Sequence, residues 1–237
     1  MRSFDTRTQD RLFEHSPHYA LADRNDPRLA TVRHENHASR AGLGTDDYMA
    51  LIDRVWARRS DVPDAMGRLA QKARAKGVPM LSHDDTQVET RQHYRGLGAT
   101  VAEFPMTMRP IEDARAHGDT IIFGAPNAVR GGSHIGSLAA GDMVEAGLCD
   151  ALASDYYYPA MLAAVDRLDR EKRADRLSLW SLVSAGPARA MRLFDRGEIA
   201  VGKRADLVLV DWPDGHTPAI QGTWVAGRAA YRAQPAH

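Results

Sequence analysis

A histidine followed at once by two aspartates, His83-Asp84-Asp85, closes the short run that begins at Val78-Pro79-Met80-Leu81. Imidazole and carboxylate are the donors that hold zinc, manganese or iron, and a buried parallel strand delivers such groups at its C-terminal end. His83 and Asp85 are therefore read as metal ligands, with Asp84 as a catalytic carboxylate or as the group that orients the imidazole. The competing readings are a hydrogen-bonded core histidine and an aspartate that only caps the next helix. Ala151-Leu152-Ala153-Ser154-Asp155 repeats the arrangement, small and apolar and then acidic. Two such strand ends suggest the mouth of a barrel. Glu103, after Ala99-Thr100-Val101-Ala102, has the same strand-end placement and is taken as a substrate-binding candidate, or as a rim glutamate without a chemical role.

A second constellation favours anions. Asn127, Arg130, Gly131, Gly132, Ser133 and His134 follow the strand-like Thr120–Gly124. Paired glycines let backbone N–H groups approach phosphate closely, an arginine clamps phosphate oxygens in two places, and hydroxyl and imidazole add donors. A glycine pair by itself is usually only a turn. Near the front, Arg11-Leu12-Phe13-Glu14-His15 reads as a short strand before the proline-marked loop at Pro17. His15 is a further candidate ligand, or a loop histidine on a frayed terminus. His34 and His37 could share a helical face but lack the spacing of the zinc-protease helix, and are read as solvated.

These groups must be positioned by regular elements, and the patterning supplies them. Thr45 and two aspartates open a helix with Tyr48, Leu51, Ile52 and Val55 at helical spacing. Asp61 and Pro63 open another, with Val62, Met66, Leu69 and Ala73 on one stripe and Gly77 as its stop. From there helices and strands alternate: helix over 86–97, strand 99–104, helix 111–117, strand 120–124, a glycine-rich loop, helix 139–146, strand 151–155 and helices over 160–194. Alternation implies a parallel sheet with helices outside. Past Gly197 the period becomes strand-like, which predicts one hairpin within Gly197–Val210 and another within Trp224–Tyr231. The expected division is thus 1–195 for an α/β body and 196–237 for a small β portion.

Composition bounds the partners. The 237 residues are 43% hydrophobic, enough for a real core, and 31 basic residues balance 31 acidic ones. Nothing in the net charge recommends nucleic acid or an anionic membrane. The single cysteine, Cys149, excludes an internal disulfide framework and fits a reducing compartment, and no apolar run approaches a bilayer span. The expectation is a cytoplasmic protein without membrane contact.

The segments Leu81-Ser82-His83-Asp84-Asp85-Thr86, Val101-Ala102-Glu103-Phe104-Pro105, Phe123-Gly124-Ala125-Pro126-Asn127 through Arg130-Gly131-Gly132-Ser133-His134, and Ala153-Ser154-Asp155-Tyr156 occur in that order. Together with Gly197-Glu198-Ile199-Ala200-Val201-Gly202-Lys203-Arg204-Ala205-Asp206-Leu207, they resemble the amidohydrolase superfamily, in its phosphonate-degrading branch. The resemblance implies a TIM-barrel-like fold with a small β-sandwich and a divalent metal (zinc, manganese, iron or magnesium) at the C-terminal strand ends. The implied reaction splits a ribose-linked triphosphate into its monophosphate and pyrophosphate. It gives Asp155 the role of the aspartate that binds metal and takes a proton from the attacking water. It also places His15 where the family can have a ligand.

The chain departs from that pattern at its front, where the superfamily carries a strand ending in His-x-His. No such motif occurs here, and about five barrel strands are expected, at Phe13, Leu81, Val101, Ile122 and Leu152, where a closed barrel has eight. The expectation is an incomplete barrel, with little activity on its own and an open edge that favours a homo-oligomer or a completing chain. Two other readings are kept: hydrolysis of a C–N bond on the same fold, and a non-catalytic module that binds a phosphate ester.

Overall fold

The computed structural model describes residues 35–132, 138–213 and 215–233. They divide between two compact units, one up to Val78 and one from Pro79 onward. His15, Ser133 and His134, and the strand expected at Phe13, lie outside the described residues.

In the first unit, residues 35–40 are helical and are followed by α1 (Thr45–Ala57) and α2 (Val62–Ala75). Asp46 and Asp47 in the first turn of α1 and Arg54 in its last complement the helix dipole. Pro63 stands in the first turn of α2, and Gly77 closes that helix at φ +65° while the Val78 N–H donates to the Ala73 carbonyl. The stripe expected on α2 is displaced by one residue. Ala70 is its buried member and Leu69 faces solvent, because Val62, Met66, Ala70 and Ala73 follow the 3.6-residue period more closely. His37 is half-buried and stacked on Tyr48 rather than solvated, with ring centroids 6.3 Å apart.

The second unit is built on a parallel sheet of β1 (Met80–His83), β2 (Ala99–Glu103), β3 (Thr120–Gly124) and β4 (Ala151–Ala153), in that spatial order. Helices α3 (Val88–Leu97), α4 (Met108–Ala116), and α5 (Ala125–Arg130) with α6 (Ala140–Glu145) make the crossovers. Consecutive parallel neighbours joined by helices form a section of a TIM-barrel-like wall. Its two faces differ. Ala102, Ile121, Phe123 and Leu152 pack under Ile111, Ala125, Ala140 and residues of α7 (Ala160–Arg170) in the main core. Leu81, Val101, Ile122 and Ala151 form a smaller apolar layer on the other face, with Phe104 and Ala153.

The glycine-rich loop expected after Gly124 is a helix, α5, for its first six residues. Pro126 suits the first turn, where no N–H is needed, and Gly131 ends the helix in the left-handed conformation at φ +78°. After α7 come α8 (Arg176–Ser181), capped by Asp175 through the Ser178 N–H, and α9 (Ala185–Ala190).

The closing sheet is antiparallel: β5 (Leu207–Asp211), β6 (Ala219–Val225) and β7 (Arg228–Arg232). The hairpin expected within Trp224–Tyr231 is present, turning at Ala226-Gly227. The one expected within Gly197–Val210 is not. Gly197 at φ +88° and Gly202 at φ +84° turn the chain twice before Leu207, so only the last residues of that stretch extend, and they pair with β6 instead. Between α8, α9 and β5 lies an apolar groove of about 810 Å³ lined by Trp180, Ala185, Leu193, Ile199, Leu207 and Val208. Among the described residues no helix is long and apolar enough to cross a membrane.

Candidate active site at the strand ends

Each of three strands delivers an acidic or imidazole group at its C-terminal end and then turns sharply. β1 ends at His83 and Asp84 has φ +59°; β2 ends at Glu103 and Phe104 has φ +52°; beyond β4, Asp155 has φ +51°. Left-handed backbone at non-glycine residues is costly and persists only where the surroundings over-determine it. At Asp84 and Phe104 the next strand does so. The Asp84 N–H donates to the Glu103 carbonyl at 3.0 Å, the Phe104 N–H to the Ile122 carbonyl at 2.9 Å, and the Met106 N–H to the Asp85 carbonyl at 2.9 Å.

His83 and Glu103 are partners in the β1–β2 register and project from the same face. His83 Nδ1 lies 3.0 Å from Asp84 Oδ2, and Nε2 lies 4.0 Å from Glu103 Oε2. The Phe104 ring meets the imidazole edge-on, with centroids 5.1 Å apart, and packs over Gly124. The hydrogen bond to Asp84 raises the His83 pKa above its ordinary value; burial opposes this, and the charges of Asp84 and Glu103 add to it. Burial raises the Glu103 carboxyl; the facing His83 pulls it back, and the negative charges of Asp155 and Asp84 push it further up. The arrangement can orient an imidazole through Asp84 and hold or release a proton at Glu103.

Asp85, expected as a ligand, belongs elsewhere. It is 1% exposed, accepts from the Ser82 hydroxyl and pairs with Arg91 at 3.4 Å. Burial raises its carboxyl pKa, with Ser82 and Arg91 opposing. The reason is the backbone. Strand alternation carried past His83 sends Asp84 to the core side and Asp85 to the site, and the left-handed turn at Asp84 exchanges them.

The anion constellation is also rearranged. Asn127 spends both ends of its amide on the loop that follows, Nδ2 donating to the Leu138 carbonyl at 3.0 Å and Oδ1 accepting from the Ala140 N–H at 2.9 Å. The N–H groups of Gly131 and Gly132 donate to the Asn127 carbonyl and close α5, so they are not aimed at a ligand. A Cβ on Gly131 would meet the Arg167 guanidinium, which donates to the Val129 carbonyl at 2.5 Å. Arg130 remains, exposed, donating to the Tyr156 hydroxyl at 2.6 Å. Phe104, Tyr156 and Arg167 are thus neighbours of the candidate groups that spacing alone did not assign. For Tyr156 the signal was its place directly after Asp155; for Arg167, within a helix, no sequence signal existed.

For a divalent cation the donor types fit, since His83 Nε2 and Glu103 Oε2 face each other beyond hydrogen-bond distance. Their number is short: among the described residues no three His, Cys, Asp or Glu side chains gather to hold a metal ion.

Comparison with known proteins agrees with this architecture. The chain is 41% identical, over 165 residues, to the alpha-D-ribose 1-methylphosphonate 5-triphosphate diphosphatase of Escherichia coli (strain K12), a match covering 69% of this chain and 43% of that protein. It therefore spans less than half the length of that curated relative. Among solved structures it is similar to an amidohydrolase from Thermotoga maritima MSB8 (TM-score 0.53, 16% identity, 85% of this chain and 60% of that one). An amidohydrolase from a Sargasso Sea environmental sample (0.54, 20%, 81% and 57%) and the L-hydantoinase of Arthrobacter aurescens (0.51, 15%, 70% and 60%) are also similar. Identities this low speak to the fold alone. Residues 16–231 match the amidohydrolase family described as Amidohydro_3, and the chain belongs to the amidohydrolase family.

Proposed function

We propose that these strand ends form part of the active site of a cytoplasmic metal-dependent hydrolase in phosphonate breakdown, splitting alpha-D-ribose 1-methylphosphonate 5-triphosphate into its 5-phosphate and pyrophosphate. The observation that carries this reading is the 41% identity over 165 residues to a diphosphatase of that name. In it, His83 and Glu103 hold a divalent cation, which when bound supplies Lewis-acid charge for the phosphate oxygens and acidity for a nearby water. Asp84 accepts from the His83 Nδ1–H, fixing the tautomer so that Nε2 faces Glu103. Asp155 takes the proton of the attacking water. Arg130, steadied by the Tyr156 hydroxyl, holds the leaving pyrophosphate, with Ser133 and His134 as further donors. Asn127 and the two glycines shape the turn that carries Arg130.

The test is binding to the full chain measured by calorimetry, with a ribose 5-triphosphate and with a neutral ribose analogue. Arg130→Ala is expected to weaken the triphosphate by about 1.5 to 3 kcal/mol, the range of a charge-assisted contact, and to leave the neutral ligand unchanged. Asn127→Ala should weaken both alike through the loop. An equal loss for both ligands in Arg130→Ala would remove the arginine from the phosphate site. No pyrophosphate release from the triphosphate by the metal-loaded protein, even with a preceding barrel strand supplied, would remove the reaction.

A further inference from the structure

The register between β1 and β2 shifts once. Met80 pairs with Ala99 but Leu81 pairs with Val101, so Thr100 has no opposite residue and the pairing then runs on to His83 and Glu103. The irregularity decides the chemistry of the sheet end. Continued regularly from Met80 and Ala99, the pairing would set His83 against Ala102 and turn Glu103 out of the face that carries the imidazole. With the shift, imidazole and carboxylate come to lie 4.0 Å apart.

A bulge leaves main-chain groups outside the ladder, and something must satisfy them. Arg91, on α3 and 0% exposed, does so. Its two terminal nitrogens donate to the Ala99 and Val101 carbonyls, which flank Thr100. One of them also reaches the Ser82 hydroxyl and pairs with Asp85, tying β1 to the same guanidinium, while Nε lies 3.2 Å from Asp119 Oδ2. A planar fork can hold two carbonyls and a carboxylate at once, which a lysine cannot.

We infer that Arg91 is a positioning residue: by capping the carbonyls on either side of Thr100 it fixes the shifted register that brings Glu103 opposite His83. The inference rests on the reading that these two groups act together, and it concerns the register only. Asp85, set aside as a ligand, acquires a role as the counter-charge that keeps Arg91 in place.

The test reads the register directly. In a Cys149→Ala background, one protein carries His83→Cys with Glu103→Cys and a second carries His83→Cys with Ala102→Cys. Opposed residues of neighbouring strands lie within disulfide reach, so mild oxidation and a gel or mass assay report which pair is opposed. With Arg91 present, the first pair should cross-link about tenfold or more faster than the second, the preference that loss of one charged hydrogen bond would erase. Arg91→Leu should abolish or invert the preference. Should that variant fail to fold, Arg91→Lys keeps the charge for Asp85 and Asp119 but not the fork, and it too should lose most of the preference. Arg95→Gln, which breaks the neighbouring pairs to Asp113 and Asp119 without touching the bulge, should lower stability and leave the preference intact. A wild-type preference in Arg91→Lys overturns the inference. Failure of the proposed phosphate chemistry would appear in ligand binding and leave the cross-linking ratio unchanged.

Discussion

Gly131→Ala separates a structural glycine from one that cradles phosphate. Gly131 adopts φ +78°, a conformation that costs an L residue about 1 to 2 kcal/mol. An added Cβ would sit 2.4 Å from Arg167 Nη2 and 2.9 Å from Cζ, so the guanidinium must leave the Val129 carbonyl. That charge-assisted bond is worth about 1.5 to 3 kcal/mol when buried. The Arg167 side chain is 39% exposed and water can replace part of it, so about 1 to 2 kcal/mol is the fitting share. Alanine stiffens the unfolded chain and returns about 0.4 to 1 kcal/mol. The expected net loss is about 1 to 3.6 kcal/mol, or roughly 2 to 14 °C in melting temperature for a chain of this size. Urea unfolding of Gly131→Ala, Arg167→Ala and the double variant resolves the parts. In the Arg167→Ala background the glycine substitution should cost only its backbone strain, leaving a coupling of about 1 to 2 kcal/mol. Strict additivity would refute the contact, and a stability loss below about 0.5 kcal/mol with a selective loss of phosphate affinity would return Gly131 to the ligand.

Two further outcomes are expected. His83 has a raised folded pKa, so its pair with Asp84 contributes stability that is fully present below the unfolded histidine value of about 6.5 and is lost as pH rises through the folded value; after chelator dialysis, Asp84→Asn should lower the melting temperature relative to wild type near pH 5.5 and not near pH 8.5, and a constant difference would contradict the pairing. Burial pushes the Cys149 thiol pKa up to about 12, so a thiol reagent at pH 8 should label it only on unfolding, and rapid labelling of the native protein would show that the segment between α6 and β4 opens.

How far the sequence carries differs from element to element. Thr120–Gly124 is found at its expected bounds because an apolar run between Gly118-Asp119 and a proline-containing turn allows little else. The hairpin at Trp224–Tyr231 was legible from its Ala226-Gly227 turn. Within Gly197–Val210, by contrast, the same apolar alternation hid two glycine turns, since local pattern cannot say whether a glycine ends a strand or sits in one. At the site, His83 and Glu103 were legible as strand-end groups, but their opposition depends on the unpaired Thr100, a tertiary fact. Adjacent Asp84 and Asp85 are alike in sequence, and only the turn at Asp84 decides which one meets the imidazole. Asn127, with its two donors and two acceptors, looked like a ligand for the reason that makes it useful to a loop.

The left-handed backbone at Asp84, Phe104 and Asp155 has a consequence for anyone who would engineer this protein. At each position, as at the left-handed Lys172, Arg192 and Ala226, glycine or asparagine would relax the chain, so a selection for heat resistance alone would be drawn in part to the three strand ends that carry the proposed chemistry. Replacing the Phe104 ring would also free the imidazole edge and the space over Gly124. Those hardier variants that change the strand ends should be progressively poorer at whatever His83 and Glu103 do together, a trade made within a few residues and invisible to any screen that counts only folded protein.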